Sequence, residues 1–170
     1  RYRDHETMML WLLPLVPILA GAIIATLGGR SRLLLGIMTV ATLGTTLLLA
    51  LLGVSQDWTA TLVWTDVIRL SAAFVPVSAA VAIMVPTVAL AVVFHATQNE
   101  SKSGLARLIG LMILFTGGME LVVVANDLLT LLIGWELIGA CSWALISHKW
   151  RKLDNPQSGL YAFVVTRTGD

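Results

Sequence analysis

Two glutamates stand inside long apolar stretches of this sequence, where a carboxylate needs a physical reason to persist. Glu136 lies in "LLIGWELIGACSWALISHKW" and Glu120 in "FTGGMELVVV". An ionised acid is costly in hydrocarbon, so such a residue usually carries a function. Either the acid is protonated, or a cation or a water-filled cavity faces it. The chemistry these two residues predict is the binding and movement of protons or cations.

Each acid also has a structural interpretation that the sequence leaves open. Glu136 could be a neutral acid that is hydrogen-bonded within a helix bundle, and Glu120 could reach the outer interface and water. In a helical hairpin that turns at Asn126 and Asp127, position 120 pairs in depth with about position 133. If the two acids face each other, they titrate as a coupled pair.

The composition places both acids in a membrane protein. Of 170 residues, 57% are hydrophobic and 12% are charged, far from the balance of a water-soluble domain. The net charge of +1 gives no electrostatic case for nucleic acid. Cys141 is the single cysteine, which excludes an intrachain disulfide. Nucleotide, zinc-protease and haem motifs are lacking, so we expect the chain to bind no cofactor.

Apolar runs of about 20 residues predict an all-α, polytopic transmembrane helix bundle. We expect residues 1–170 to be the N-terminal fragment of one membrane domain, with a short polar connection that carries interfacial tryptophans, Trp58 and Trp64, between the second and third spans. Asp127 is the predicted N-cap of the fifth span. The five predicted spans cover about 8–27, 33–54, 71–94, 105–125 and 128–148, and a sixth begins at about 160.

The basic residues predict the orientation of the chain. Three connections on one side hold seven Lys and Arg residues, and the other side holds Arg1, Arg3 and Arg69. By the positive-inside rule, the richer side is cytoplasmic and the N-terminus is outside. The seven residues are Arg30, Arg32, Lys102, Arg107, Lys149, Arg151 and Lys152.

The run "GMELVVVANDLLTLLIGWELIGACSWALISHKW", followed by "YAFVVTRTGD", resembles a known family. It is similar to the antiporter-like subunit L (chain 5) of proton-pumping NADH:quinone oxidoreductase, respiratory complex I, and to Mrp-type antiporters. The opening "LWLLPLVPILAGAI" is also similar to the first helix of that subunit. The resemblance implies a multi-pass protein of the bacterial inner membrane that works with other membrane subunits.

By this resemblance, Glu136 is the proton carrier, and its partner is a lysine on a later helix beyond this sequence. Arg167 and Asp170 fall on an arginine and an aspartate at the start of the sixth helix of the family. Glu120 is a departure, because the family usually has an apolar residue there. The residues "FVPVS" also lack an aspartate that is typical of the family at that place.

These departures keep three functions open. The first is a proton-translocating subunit of an NADH:quinone oxidoreductase-like complex, which would be a non-redox subunit of an enzyme. The second is an Mrp-type Na⁺/H⁺ antiporter or a proton-coupled inorganic-carbon uptake subunit, with Na⁺ as an alternative ion. The third is a non-conducting structural bundle or truncated remnant.

Overall fold

A computed structural model describes residues 2–27, 31–63, 65, 68–101, 104–148 and 154–169. Six α-helices and one β-hairpin make up these described ranges. Five of the helices, α1 to α5, are long and apolar enough to cross a membrane by length and composition. The predicted all-α class with five spans and the beginning of a sixth is therefore confirmed. The helices are α1 (Tyr2–Leu27), α2 (Arg32–Ser55), α3 (Pro76–Asn99), α4 (Leu105–Val124), α5 (Leu128–Ile146) and α6 (Asp154–Gly169).

The β-hairpin occupies the connection between α2 and α3. Strands β1 (Thr59–Val63) and β2 (Arg69–Ala73) pair antiparallel, with Thr59 opposite Ala73 and Val63 opposite Arg69. The third helix consequently begins at Pro76, later than the start near Ser71 that the apolar run suggested. Pro76 stands in the first turn of α3, where a missing N–H costs nothing.

Trp58, which was predicted to lie at the membrane interface, is buried against other residues of the protein. Its side chain is 2% exposed and packs with Leu10, Leu13 and Val124 in a core cluster beside the hairpin. The indole Nε1 donates a hydrogen bond to Gln56 Oε1 at 3.2 Å, so its one polar atom is satisfied inside the fold. Trp64, the second predicted interfacial tryptophan, lies outside the described residues.

The helices pack around α4. Helix α1 packs most closely against it, α5 forms the other arm of a tight helical hairpin, and α2 and α3 complete the group. Gly21 and Gly110 allow the close α1–α4 approach, because a Cβ at either residue would lie 2.6 Å from the carbonyl oxygen of the other. Helix α6 packs against α5.

Arg32 joins the beginning of α2 to the end of α3. Its guanidinium donates to the carbonyl oxygens of Thr97 at 2.8 Å and Glu100 at 2.7 Å. These carbonyls belong to the C-terminal end of α3, where a cation is favoured by the helix dipole and by orphan acceptors. Arg32 was predicted only as a marker of the cytoplasmic side, and the structure gives it a second, structural contact.

Candidate functional site

Glu136 lies on the side of α5 that faces away from α4. The buried residues of α5, Thr130, Gly134 and Cys141, form the stripe that packs inward. Glu136 is two residues from Gly134, hence about 200° around the helix from it. It is also about 12 Å along the axis from the first residue of the helix. The acid therefore lies well inside a candidate membrane span, on a face where its side chain is 52% exposed.

Arg167 of α6 is the charge partner of Glu136. Its Nη1 forms an ion pair with Glu136 Oε2, and its Nη2 donates to the backbone carbonyl of Glu136 at 3.3 Å. The pair neutralises both charges without a third group. Because a guanidinium keeps its charge at any physiological pH, Glu136 faces a permanent cation in this arrangement.

The surroundings of the guanidinium position it over α5. The ring of Phe163 lies 5.1 Å from Arg167 Cζ, a cation–π geometry. Phe163 in turn packs against Trp143, with ring centroids 5.9 Å apart. Gly139, one turn after Glu136, leaves the space for the guanidinium, because a Cβ there would be 3.2 Å from Arg167 Nη2. Trp143 and Gly139 thus position the charge pair through packing.

Glu120 does not join this pair. Its side chain is fully buried in α4, and neither carboxylate oxygen has a hydrogen-bond partner among the described residues. Since Glu136 faces α6 and Glu120 lies inside the α4 packing, the structure keeps the two predicted acids on different surfaces. Glu120 also does not reach water at the outer interface in this arrangement.

The glycines near the acids pack helices together and do not open space for water. A Cβ at Gly117 would lie 2.6 Å from Ile18 Cγ1 of α1. A Cβ at Gly118 would lie 3.2 Å from Ile138 Cγ1 of α5, and one at Gly134 would lie 3.0 Å from the Val122 backbone nitrogen. Glycine at these positions therefore sets the spacing of α4 against α1 and α5.

Asp127 does more than cap α5. Its carboxylate accepts from the Thr130 backbone N–H at 2.8 Å, which is the predicted N-cap bond, and from the Thr130 hydroxyl. It also accepts from the backbone N–H and the hydroxyl of Ser71 in β2. Burial alone would raise the pKa of Asp127, but the bonds from Thr130 and Ser71 outweigh it and lower that pKa to about 2. The hairpin is thereby fastened to the α4–α5 turn.

The remaining predicted residues lie outside the described ranges or away from the ion pair. Asp170 lies outside the described residues, as do Lys149, Arg151 and Lys152. His148 stands just after α5, where its ring lies against Gly104 at the beginning of α4. In the described ranges, no group of three or more His, Cys, Asp or Glu side chains is arranged to hold a metal ion.

The part of the chain that contains the site is similar to a known family. Residues 125–170, which contain Glu136 and Arg167, match the family described as NADH:quinone oxidoreductase/Mrp antiporter, TM. The predicted resemblance to the antiporter-like subunits is confirmed. The matched residues of this chain begin at the α4–α5 turn and include α5 and α6. These two helices carry Glu136 and Arg167, the two residues of the ion pair.

Curated relatives agree with this match. NADH-quinone oxidoreductase subunit L of Escherichia coli is 37% identical over 71 residues, 42% of this chain. The Pseudomonas aeruginosa subunit L is 35% identical over 77 residues, 45% of this chain. F(420)H(2) dehydrogenase subunit L of Methanosarcina mazei is 34% identical over 96 residues, 56% of this chain. The aligned segments span 12%, 12% and 14% of these three relatives.

The arginine partner is the feature of the site that sequence reasoning missed. The resemblance pointed to a lysine on a later helix, whereas the described structure pairs Glu136 with Arg167, 31 residues further along. Gly139 and Phe163 are the small and aromatic neighbours of the guanidinium in the fold. Their meaning depends on the rotation of α5 against α6, which the sequence alone does not give.

Proposed function

We propose that this chain is part of a proton-translocating membrane subunit in which Glu136 carries the proton and Arg167 controls its charge. The observation that supports this proposal is the ion pair between the two residues, within a candidate membrane span and its neighbouring helix. A charge pair in this setting is costly to build and has no structural role that an apolar pair would not fill. A function in moving charge accounts for its presence.

The ion pair allows Glu136 two protonation states. While the guanidinium contacts the carboxylate, Glu136 is favoured in its ionised form and the pair is neutral. When the guanidinium moves away, the carboxylate loses its cation and takes up a proton to become a neutral carboxylic acid. Arg167 remains charged throughout, so one proton enters and no other bond changes. Return of the guanidinium favours release of that proton.

The packing around Arg167 is suited to such a movement. The Arg167 side chain is 26% exposed, and its guanidinium rests over the Phe163 ring. We also propose Asp170, which the resemblance to the family marks, as a further residue of this site.

The relatives suggest the setting of this function. They are named as subunits L of NADH-quinone oxidoreductase and of F(420)H(2) dehydrogenase, so we propose that this chain also works with other membrane subunits. We further propose a bacterial inner membrane with the N-terminus outside. The family description also includes Mrp antiporters, which makes Na⁺/H⁺ antiport the second candidate function.

Substitution of Glu136 tests the proposal. In sealed membrane vesicles that contain the protein in its assembled complex, we expect Glu136→Gln to abolish proton uptake, because the amide has the same shape but binds no proton. Glu136→Asp keeps the carboxyl group and should retain part of the uptake. Glu100→Gln, in the connection after α3, is the matched control and should leave uptake unchanged.

Assembly and ion dependence decide the outcome. The Glu136→Gln complex should contain the same subunits as the wild type, so that loss of uptake is not loss of protein. Unchanged proton uptake in assembled Glu136→Gln vesicles would refute the proposal. Uptake that requires a Na⁺ gradient, and disappears with it, would favour the antiporter. Wild-type vesicles with no ion movement would favour a non-conducting bundle.

A further inference from the structure

A second unusual acid remains after Glu136 is paired. Glu120 is 0% exposed, and both its oxygens are unpartnered among the described residues. The charged and titratable side chains of the helices packed against it lie elsewhere: at helix ends, toward α6, or, for one uncharged thiol, on α5. Among the side chains that the structure describes on these helices, none is a counter-ion for Glu120, so an ionised Glu120 would be a buried charge that they leave unpaired. The groups concerned are Arg32, His95, Arg107, Asp127, Glu136 and Cys141.

Three prolines leave backbone carbonyls that can accept a hydrogen bond from a protonated acid. Pro14 and Pro17 lie inside α1, and Pro86 lies inside α3. Proline has no N–H, so the carbonyl four residues earlier loses its helical donor. The carbonyls without that donor belong to Leu10, Leu13 and Ala82, which are 0%, 1% and 0% exposed.

The residues that carry these carbonyls pack against the C-terminal part of α4, the helix that contains Glu120. Leu10, Leu13 and Ala82 belong to one core cluster together with Val124, which is one turn after Glu120. On α1, the Pro14 carbonyl oxygen lies 3.0 Å from the position of a Cβ at Gly117. On α3, Val85 lines the same cavity as Thr116 and Met119.

The Glu120 side chain leans toward the beginning of α4. Helical side chains lean toward the N-terminus of their helix, so the Glu120 carboxyl group lies over the preceding turn, near residues 116–117. This is the turn that faces the proline turns of α1 and α3. A protonated carboxylic acid there has one O–H to donate, and the freed carbonyls on the facing helices are the candidate acceptors.

We propose that Glu120 and the proline-freed carbonyls of Leu10, Leu13 and Ala82 form a second proton-binding site inside the α1–α4 group. Its ligand is a proton: a carboxylate accepts it to form a neutral carboxylic acid, and the O–H donates to a freed carbonyl. This site is separate from the Glu136–Arg167 pair and does not depend on the function proposed for that pair.

Infrared spectroscopy of the assembled protein in membranes tests the site. We expect a carbonyl stretching band of a protonated carboxylic acid at neutral pH that is lost in Glu120→Gln and kept in Glu136→Gln. In D₂O the band should move to lower frequency, because a proton that binds and leaves exchanges with solvent. A band that persists in Glu120→Gln, or that never moves in D₂O, would overturn the proposal.

Proline substitutions test the carbonyl half of the site. Pro86→Ala returns an N–H donor to the Ala82 carbonyl, so the acid bonds to it more weakly and the band should move to higher frequency. Pro14→Ala and Pro17→Ala test the carbonyls of Leu10 and Leu13 in the same way. Pro76→Ala is the matched control, because Pro76 lies in the first turn of α3. The carboxylic acid band of this variant should not move.

The remaining outcomes are also decisive. If none of the three interior proline substitutions moves the band, the carbonyls are not its acceptors and the site as proposed is wrong. If Na⁺ at neutral pH removes the wild-type band, the site takes a cation in place of a proton, which also overturns the proposal. Should Glu120→Gln fail to assemble, the wild-type exchange in D₂O and the Pro86→Ala shift still give the answer.

Discussion

The contact between Gly21 and Gly110 permits a quantitative test of the fold that carries both acids. A Cβ at Gly110 would lie 2.6 Å from the Gly21 carbonyl oxygen and 2.7 Å from the Ala25 Cα, well below the 3.4 Å at which ordinary contact begins. Both neighbours are backbone atoms, so no side chain can rotate away. Gly110→Ala must therefore move α1 away from α4.

The expected cost combines two opposing effects. Overpacking a tight contact costs about 1–3 kcal/mol. Alanine in place of glycine inside a helix returns about 0.5–1 kcal/mol. The net loss for Gly110→Ala is then between about 0 and 2.5 kcal/mol in the free energy of unfolding, with a middle value of about 1 kcal/mol. Gly21→Ala should cost the same, but the double variant should cost less than the sum, because the first methyl group already separates the helices.

Unfolding of the purified protein in mixed micelles with increasing SDS, followed by circular dichroism, measures this difference. Gly36→Ala and Gly44→Ala in α2 are the controls, because no atom lies within 4 Å of a Cβ at either position. Both should be as stable as the wild type or slightly more stable. If Gly110→Ala is as stable as Gly36→Ala, or if the two contact variants are additive, the close-packing argument is wrong.

Two further predictions concern the charged groups. Asp127→Ala should lower the free energy of unfolding by about 0.5–2 kcal/mol at neutral pH, the usual value of an N-cap, and should speed amide hydrogen exchange at Ser71. Because bonding lowers the pKa of Asp127 to about 2, its contribution is present above the ordinary pKa of 3.8 and is lost as the pH falls through 2, so the two proteins should converge there. Arg167→Gln should reduce proton uptake in vesicles by at least tenfold, whereas Arg167→Lys, which keeps the charge without the planar fork, should recover part of it; equal loss in both would contradict a role for the charge.

The fold could be predicted from the sequence to the extent that it depends on span length. Apolar runs of about 20 residues identified five helices, and Asp127 identified the beginning of α5, because both signals are local. The β-hairpin was missed, although Thr59, Thr61 and Val63 alternate with smaller or apolar residues as strand residues do. Five-residue strands next to long apolar runs give a weak signal, and their pairing is stabilised by Asp127, 56 residues away from Ser71.

The candidate site was predictable as residue types but not as contacts. Glu136 could be named because a charge in an apolar run is conspicuous, and Arg167 could be named only through the resemblance to the family. That they pair, and that Glu120 faces elsewhere, depends on the rotation of each helix about its axis. Helices that are apolar on all sides have no polar face to indicate that rotation. Trp58 illustrates the same limit, since its position beside a polar connection suggested an interface and the fold buries it.

The fastening of the hairpin to the α4–α5 turn also has a consequence for how the protein is made. The segment that forms β1 and β2 leaves the ribosome before Asp127 is synthesised, so Ser71 has no carboxylate to donate to until α4 and α5 have both entered the membrane. Docking of the hairpin is then a late event that reports completed insertion of this helix pair. A chain halted between Ser71 and Asp127 would expose the hairpin to proteases, and a chain that has passed α5 would protect it.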